Sequence, residues 1–209
     1  MFVSMLFKFD KDLRCVVHLC YTLFRIYGGG IDMEIFVGTS CVEGVDEKYL
    51  SLASEIGYLI GINGHTLIFG SSENGMMGRV YRKAKENGGK VISVIPDEYR
   101  GFLTDVEADE IIRTKTASEQ LKVLVNKGDI TIIMPGSFGT LSELMTSIHY
   151  KKLGEHHKRI FILNKYGFFD EFLKLVDKIF LEGFDYSERK KLFEVVESPH
   201  EIFEKLKGE

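Results

Sequence analysis

The segment from Asp129 to Glu143, Asp-Ile-Thr-Ile-Ile-Met-Pro-Gly-Ser-Phe-Gly-Thr-Leu-Ser-Glu, constrains the fold of this chain more than any other. Its first part is a short, nearly continuous apolar run, the pattern of a strand buried on both faces of a parallel sheet. Its second part opens a stretch with apolar residues at Leu144, Met145 and Ile148, spaced as on a helix. The same order recurs upstream. Thr66–Phe69 runs into Gly70-Ser71-Ser72-Glu73-Asn74-Gly75-Met76-Met77-Gly78 and then a helix through Arg82 and Ala84, and Glu34–Val37 runs into Gly38-Thr39-Ser40. Further apolar runs at Val91–Ile95, Ile130–Met134 and Arg159–Leu163 alternate with helical stretches at Ala117–Asn126 and Phe168–Glu182. A short strand at 110–113, another at 193–196 and a closing helix from Pro199 complete the series. Alternation of this kind predicts a doubly wound parallel sheet.

The loops at these strand ends have the composition of an anion site. Gly136, Ser137 and Gly139 let the backbone approach a phosphate closely, Thr140 adds a hydroxyl, and the helix that follows turns unpaired N–H groups toward the same spot. Gly38, Thr39 and Ser40 after the first strand, and Gly70, Ser71, Gly75 and Met76 after the second, extend the candidate binding set. Met76 and Met77 also suit packing at a helix start. Glu143 sits one helical turn beyond the phosphate loop, where the sugar of a bound nucleotide would lie, and is the candidate for chemistry. None of the three loops carries the G-x-G-x-x-G dinucleotide fingerprint, so a mononucleotide is the expected ligand.

Composition narrows the remaining classes. With 209 residues the chain supports one sizeable core. The formal net charge is −4 and the lysines and arginines are dispersed, which argues against nucleic acid as a partner. Cys15, Cys20 and Cys41 are odd in number and lack metal-ligand spacing, so neither a disulfide framework nor a metal site is expected, and a reducing cytoplasm is. Residues 1–32 hold apolar stretches, but His18 and Arg25 interrupt them, they fall short of a membrane span, and no small-residue cleavage site follows. The run Gly28-Gly29-Gly30 then precedes Met33. The expected organisation is a peripheral N-terminal extension, 1–32, and one nucleotide-binding domain, 33–209, with no membrane association.

Taken together, these motifs resemble the Lonely Guy family of nucleotide phosphoribohydrolases, often labelled lysine decarboxylase-like. The family's Gly-Gly-Gly-x-x-Gly-Leu-Met-Gly is matched by Gly70 to Gly78, and its Pro-Gly-Gly-x-Gly-Thr-x-x-Glu by Pro135 to Glu143. The likeness continues through Gly88–Pro96, Leu153–Lys158, Leu163-Asn164, Gly167–Asp170 and Glu182–Phe184, and covers about Met33 to Leu206. It implies a Rossmann-like fold with helices on both faces of the sheet, a homodimer, and hydrolysis of the N-glycosidic bond of a nucleoside 5′-monophosphate to free base and ribose 5-phosphate. No metal or organic cofactor is implied. Decarboxylation generally needs an electron sink such as pyridoxal phosphate, and no lysine is placed for its Schiff base.

The resemblance assigns catalysis to Glu143 and phosphate binding to Gly136, Ser137, Gly139 and Thr140. Two positions depart from the family pattern. An Arg-Lys pair on the helix before the signature strand maps onto Gln120 and Leu121, so a neutral amide stands at the catalytic arginine's place and supplies only the hydrogen-bonding part of its role. Ser137 replaces the second glycine of the phosphate loop. The alternative function is a nucleotide- or phosphoryl-cofactor-binding or carrier protein with little hydrolytic activity.

Overall fold

Side chains alternate between the two faces of a strand, so an apolar run buried on both sides needs a helical layer above and below it. The computed structural model, which describes residues 32–99, 106–186 and 192–207, has that arrangement. Seven strands, β1 (Glu34–Gly38), β2 (Thr66–Phe69), β3 (Lys90–Pro96), β4 (Glu110–Thr114), β5 (Ile130–Ile133), β6 (Arg159–Leu163) and β7 (Glu194–Val196), form one sheet in the order β4-β3-β2-β1-β5-β6-β7. Every pairing is parallel. Six helices accompany them among the described residues: α1 (Glu47–Ile62), α2 (Gly75–Glu86), α3 (Ala117–Lys127), α4 (Phe138–Lys152), α5 (Asp170–Leu181) and α6 (Pro199–Leu206). The expected segment 1–32 lies outside the described residues apart from Asp32.

The core records the alternation residue by residue. Ile35, Val37, Leu67, Phe69, Ile130, Ile132 and Phe161 face one side, against Leu52 and Ile56 of α1, Met76 and Val80 of α2, and Ile202 and Phe203 of α6. Their strand neighbours face the other. Phe36, Ile68, Ile92 and Val94 pack on Leu124 and Val125 of α3, and Ile133, Ile160 and Ile162 pack on Leu144 and Ile148 of α4 and Val176 of α5. Helices therefore cover both faces, as the sequence pattern predicts.

Local signals set the helix ends. Asp46 caps α1 by accepting from the Lys48 N–H at 2.9 Å, and Gly64, with φ +71°, turns the chain after it into β2. A side chain at Gly61 would stand 2.6 Å from the Ala84 carbonyl oxygen, so α1 and α2 approach too closely there for anything but glycine. The topology then fixes where a ligand can sit. The strand sequence runs outward from β1 through β2, β3 and β4, returns across the sheet, and resumes at β5 on the other side of β1. That reversal opens a crevice beyond the carboxyl ends of β1 and β5.

Candidate active site at the β1–β5 crevice

The loops at this crevice are stitched together by their own hydrogen bonds. The Met134 N–H donates to the Gly38 carbonyl at 2.9 Å, and the Thr39 hydroxyl donates to the Pro135 carbonyl at 2.9 Å, tying the end of β1 to the end of β5. Met77 N–H donates to the Ser40 carbonyl at 3.0 Å, tying the same loop to α2. Thr39 and Ser40 are both buried, and Ser40 Oγ accepts from the Val42 N–H. Met76 is 1% exposed, so it packs the core with its sulfur 3.6 Å from the Thr39 hydroxyl. The polar groups of Thr39 and Ser40 thus shape the loop from within.

At the second strand end, Ser71 is fully buried with φ +66°, a left-handed conformation that non-glycine residues adopt at a cost. Gly75, at φ +56°, lies where a side chain would meet the Val42 carbonyl. Gln120 braces this region. Its Nε2 donates to the Val94 carbonyl at 2.7 Å and approaches the Gly70 carbonyl at 3.4 Å, so the one amide bridges the ends of β2 and β3 from α3. With carbonyls as both partners, the amide's nitrogen and not its oxygen must face them.

The phosphate loop is the open part. Ser137 stands before α4 and makes no side-chain cap bond, so it does not cap the first N–H groups of the helix, which lack a carbonyl one turn earlier. Gly139 faces open space. Ser137 has φ −92°, a conformation any residue adopts, which explains why serine is accommodated where the family pattern has glycine. Thr140 folds over Gly136, where an added side chain would collide with it.

Three buried side-chain oxygens among the described residues have no hydrogen-bond partner. Two of them, Thr140 Oγ1 and Glu143 Oε2, lie one turn apart at the start of α4. Buried polar atoms are normally satisfied, so a pair left open at one helix start makes this spot the candidate for ligand binding. Glu143 is half-buried overall, but its Oε2 is sealed from water, and a side chain on Gly38 would come within 2.6 Å of that oxygen and 2.8 Å of Ile133 Cδ1. Burial against these strand ends pushes the Glu143 carboxyl up to about 8. The glycine at 38 makes room for it.

His156 anchors the far side of α4. Its Nδ1 accepts from the Lys158 N–H at 3.3 Å, which leaves Nε2 to donate to the Ser147 carbonyl at 3.0 Å, and burial lowers its pKa. That is a helix-bracing role. Glu143, Gly38, Gly136, Ser137, Gly139 and Thr140 gather at the crevice, with Gln120, Gly70 and Ser71 at the neighbouring strand end. Ile133, which walls the site, carries no sequence signal beyond lying at a strand end, whereas Pro135, whose carbonyl ties the loops, opens the signature motif. Among the described residues no cluster of three His, Cys, Asp or Glu could hold a metal ion, and no helix is long and apolar enough to cross a membrane.

Residues 77–206 match the family described as "possible lysine decarboxylase". The chain is 31% identical over 160 residues to a "probable cytokinin riboside 5′-monophosphate phosphoribohydrolase" of Oryza sativa subsp. japonica, spanning 76% of this chain and 70% of that one. It is 38% identical over 125 residues to the cytokinin riboside 5′-monophosphate phosphoribohydrolase of Mycobacterium tuberculosis, spanning 59% and 66% respectively. Among solved structures, the molybdenum cofactor carrier protein of Chlamydomonas reinhardtii superposes with a TM-score of 0.64 at 20% identity, over 86% of this chain and 100% of that one. That likeness concerns the fold alone.

Proposed function

Because the chain belongs to the Lonely Guy family, whose relatives are phosphoribohydrolases, we propose that it hydrolyses the N-glycosidic bond of a nucleoside 5′-monophosphate, releasing free base and ribose 5-phosphate. The observation that carries this reading is the pair of unpartnered buried oxygens, Thr140 Oγ1 and Glu143 Oε2, beside an uncapped helix start. The first turn of α4 with Thr140 suits the 5′-phosphate, and Glu143 lies one turn deeper, toward the ribose. N-glycoside cleavage builds positive charge on the sugar, which a carboxylate at that position stabilises. Gly38, Thr39, Ser40, Gly70, Ser71 and Gly75 make up the strand-end loops around the site, whereas Met76, expected as a binding residue, is buried in the core and packs beneath them.

A second reading, a binding or carrier protein with little hydrolysis, is favoured by one feature: Gln120 brings no positive charge to the site and commits its amide to backbone carbonyls. The proposed setting is a cytoplasmic homodimer whose folded unit begins at Met33. The test is a panel of nucleoside 5′-monophosphates assayed for free base. The wild type releases base from at least one of them, and Glu143→Gln retains binding of that nucleotide while releasing at least a hundredfold less base, the usual scale for a positioned proton-transfer group. Binding without release in the wild type would favour the carrier reading, and neither binding nor release would overturn both.

A further inference from the structure

Gln120 and Glu143 reach the crevice from different helices but cover adjacent strand ends. A side chain on Gly70 would point at Gln120 Nε2, 3.4 Å away, and one on Gly38 points at Glu143 Oε2. The β1–β2 register pairs Phe36 with Ile68, and Gly38 and Gly70 each follow two residues further along these neighbouring parallel strands. By strand alternation both positions face the side covered by α3 and α4. Position 120 thus lies over the strand end next to the one that Glu143 covers, and it is occupied by a neutral amide whose N–H groups are turned to the Val94 and Gly70 carbonyls.

Resting on the hydrolytic reading above, we propose that Glu143 works in its protonated form, as the acid that gives its proton to the departing base, and that glutamine at position 120 is what leaves it protonated. The C1′–N bond breaks and its electron pair goes to the base nitrogen, which takes the Glu143 proton. The carboxylate so formed faces the ribose as positive charge develops there. Water then bonds to C1′ and yields a proton to Glu143, which restores the acid and completes ribose 5-phosphate.

The surroundings are consistent with a neutral group. Burial is the cause of its upward shift. On the elements packed against α4, Glu34 opens β1 at the end away from the crevice, Asp129 precedes β5 and accepts from the Glu34 N–H, and Lys127 pairs with Glu34. On α3, Glu119 accepts from the Lys115 N–H, and Lys122 is the remaining cation. On α4 itself, Lys151 donates to the Lys158 carbonyl, while His149 and Lys152 lie in the last turn. A protonated Glu143 also spares a bound phosphate dianion the repulsion of a carboxylate at the same helix start.

The sign of the pH effect on folding follows. Unfolded, this carboxyl loses its proton near 4.5; folded, it keeps it up to about 8. Stability is full below the lower value and falls as pH rises through the upper one. Glu143→Gln should lack that decline.

Infrared spectroscopy of the full chain reads the proton directly. At pH 7 the wild type should show a protonated-carboxyl band that is absent from Glu143→Gln and titrates away near pH 8. In Gln120→Arg the band should titrate lower, by on the order of one to two pH units, and the alkaline limb of base release should move with it. Should Gln120→Arg not fold, the wild-type band decides alone. Base release with no band at pH 7 overturns the proton donor and leaves hydrolysis intact; a band at pH 7 in a chain that releases no base overturns hydrolysis and the acid role, and leaves the protonation standing. An alkaline limb that stays in place while the band moves also refutes the acid role.

Discussion

In the proposed site, Thr140 is the residue kept for a ligand at a cost to the fold. Its hydroxyl is buried at 2% exposure with no partner, pressed over Gly136 at the mouth of the phosphate loop. An unsatisfied buried hydroxyl destabilises the fold by about 1–3 kcal/mol, whereas a hydrogen bond to a charged group contributes about 1.5–3 kcal/mol. Valine keeps the branched shape and removes the hydroxyl. Thr140→Val should therefore raise the melting temperature of the ligand-free protein and weaken binding of ribose 5-phosphate by about tenfold or more, as read by calorimetry. Opposite signs are the signature of a ligand-binding hydroxyl. A threonine that merely packs would leave binding unchanged.

At the scale of elements, the start of α4 carries the binding argument. A helix of 15 residues preceded by Ser137 without a side-chain cap forgoes a stabilisation that serine could supply. Ser137→Asp places a carboxylate where it can accept from the free N–H groups and favour the dipole, adding about 0.5–1 kcal/mol to stability in the absence of ligand. The same carboxylate occupies and repels the position of a phosphate, so inorganic phosphate should cease to raise the melting temperature in this variant. Continued stabilisation by phosphate would place the anion elsewhere. The elements themselves were largely legible in the sequence, because a parallel strand must be apolar on both faces: β2 and β6 span the same residues as the runs Thr66–Phe69 and Arg159–Leu163. Ends were less so. Gly38 reads as a loop residue yet closes β1, since what matters there is room for Glu143, and Pro96 reads as a stop yet pairs with Thr114 at the last position of β3. The loop before α4, proposed to hold the phosphate, was legible as a loop because small residues before a helix have a local meaning. The neighbourhood of Gln120 and Glu143 was not, because it depends on which carbonyls and strand ends meet from residues 26 to 105 positions apart.

At the scale of the molecule, the doubly wound sheet leaves one side of the α3–α4 pair without a covering layer among the described residues. Their outer faces border an open cleft of about 530 Å³ lined by Ser118, Leu121, Ser142, Met145, Thr146, His149 and Tyr150. Phe138 and Met145 are 89% and 49% exposed at the start and middle of α4. An apolar helix face beside the candidate site is suited to an isologous contact, in which the same patch meets itself across a two-fold axis. The full chain should then sediment near 48 kDa, twice the 23.8 kDa of one chain, at micromolar concentration. Met145→Lys puts a charge in the middle of that face, and burying it there would cost several kcal/mol, enough to shift the species toward one chain while the circular dichroism spectrum is retained. A chain shortened to begin at Met33 tests the proposed boundary in the same experiment. It should sediment near twice its own mass and melt within a few degrees of the full chain, because the strands and helices described from residue 33 onward include the sheet and both of its helical layers. A single-chain species for the full-length protein would remove the dimer, and a truncated chain that melts far lower would move the start of the folded unit into residues 1–32.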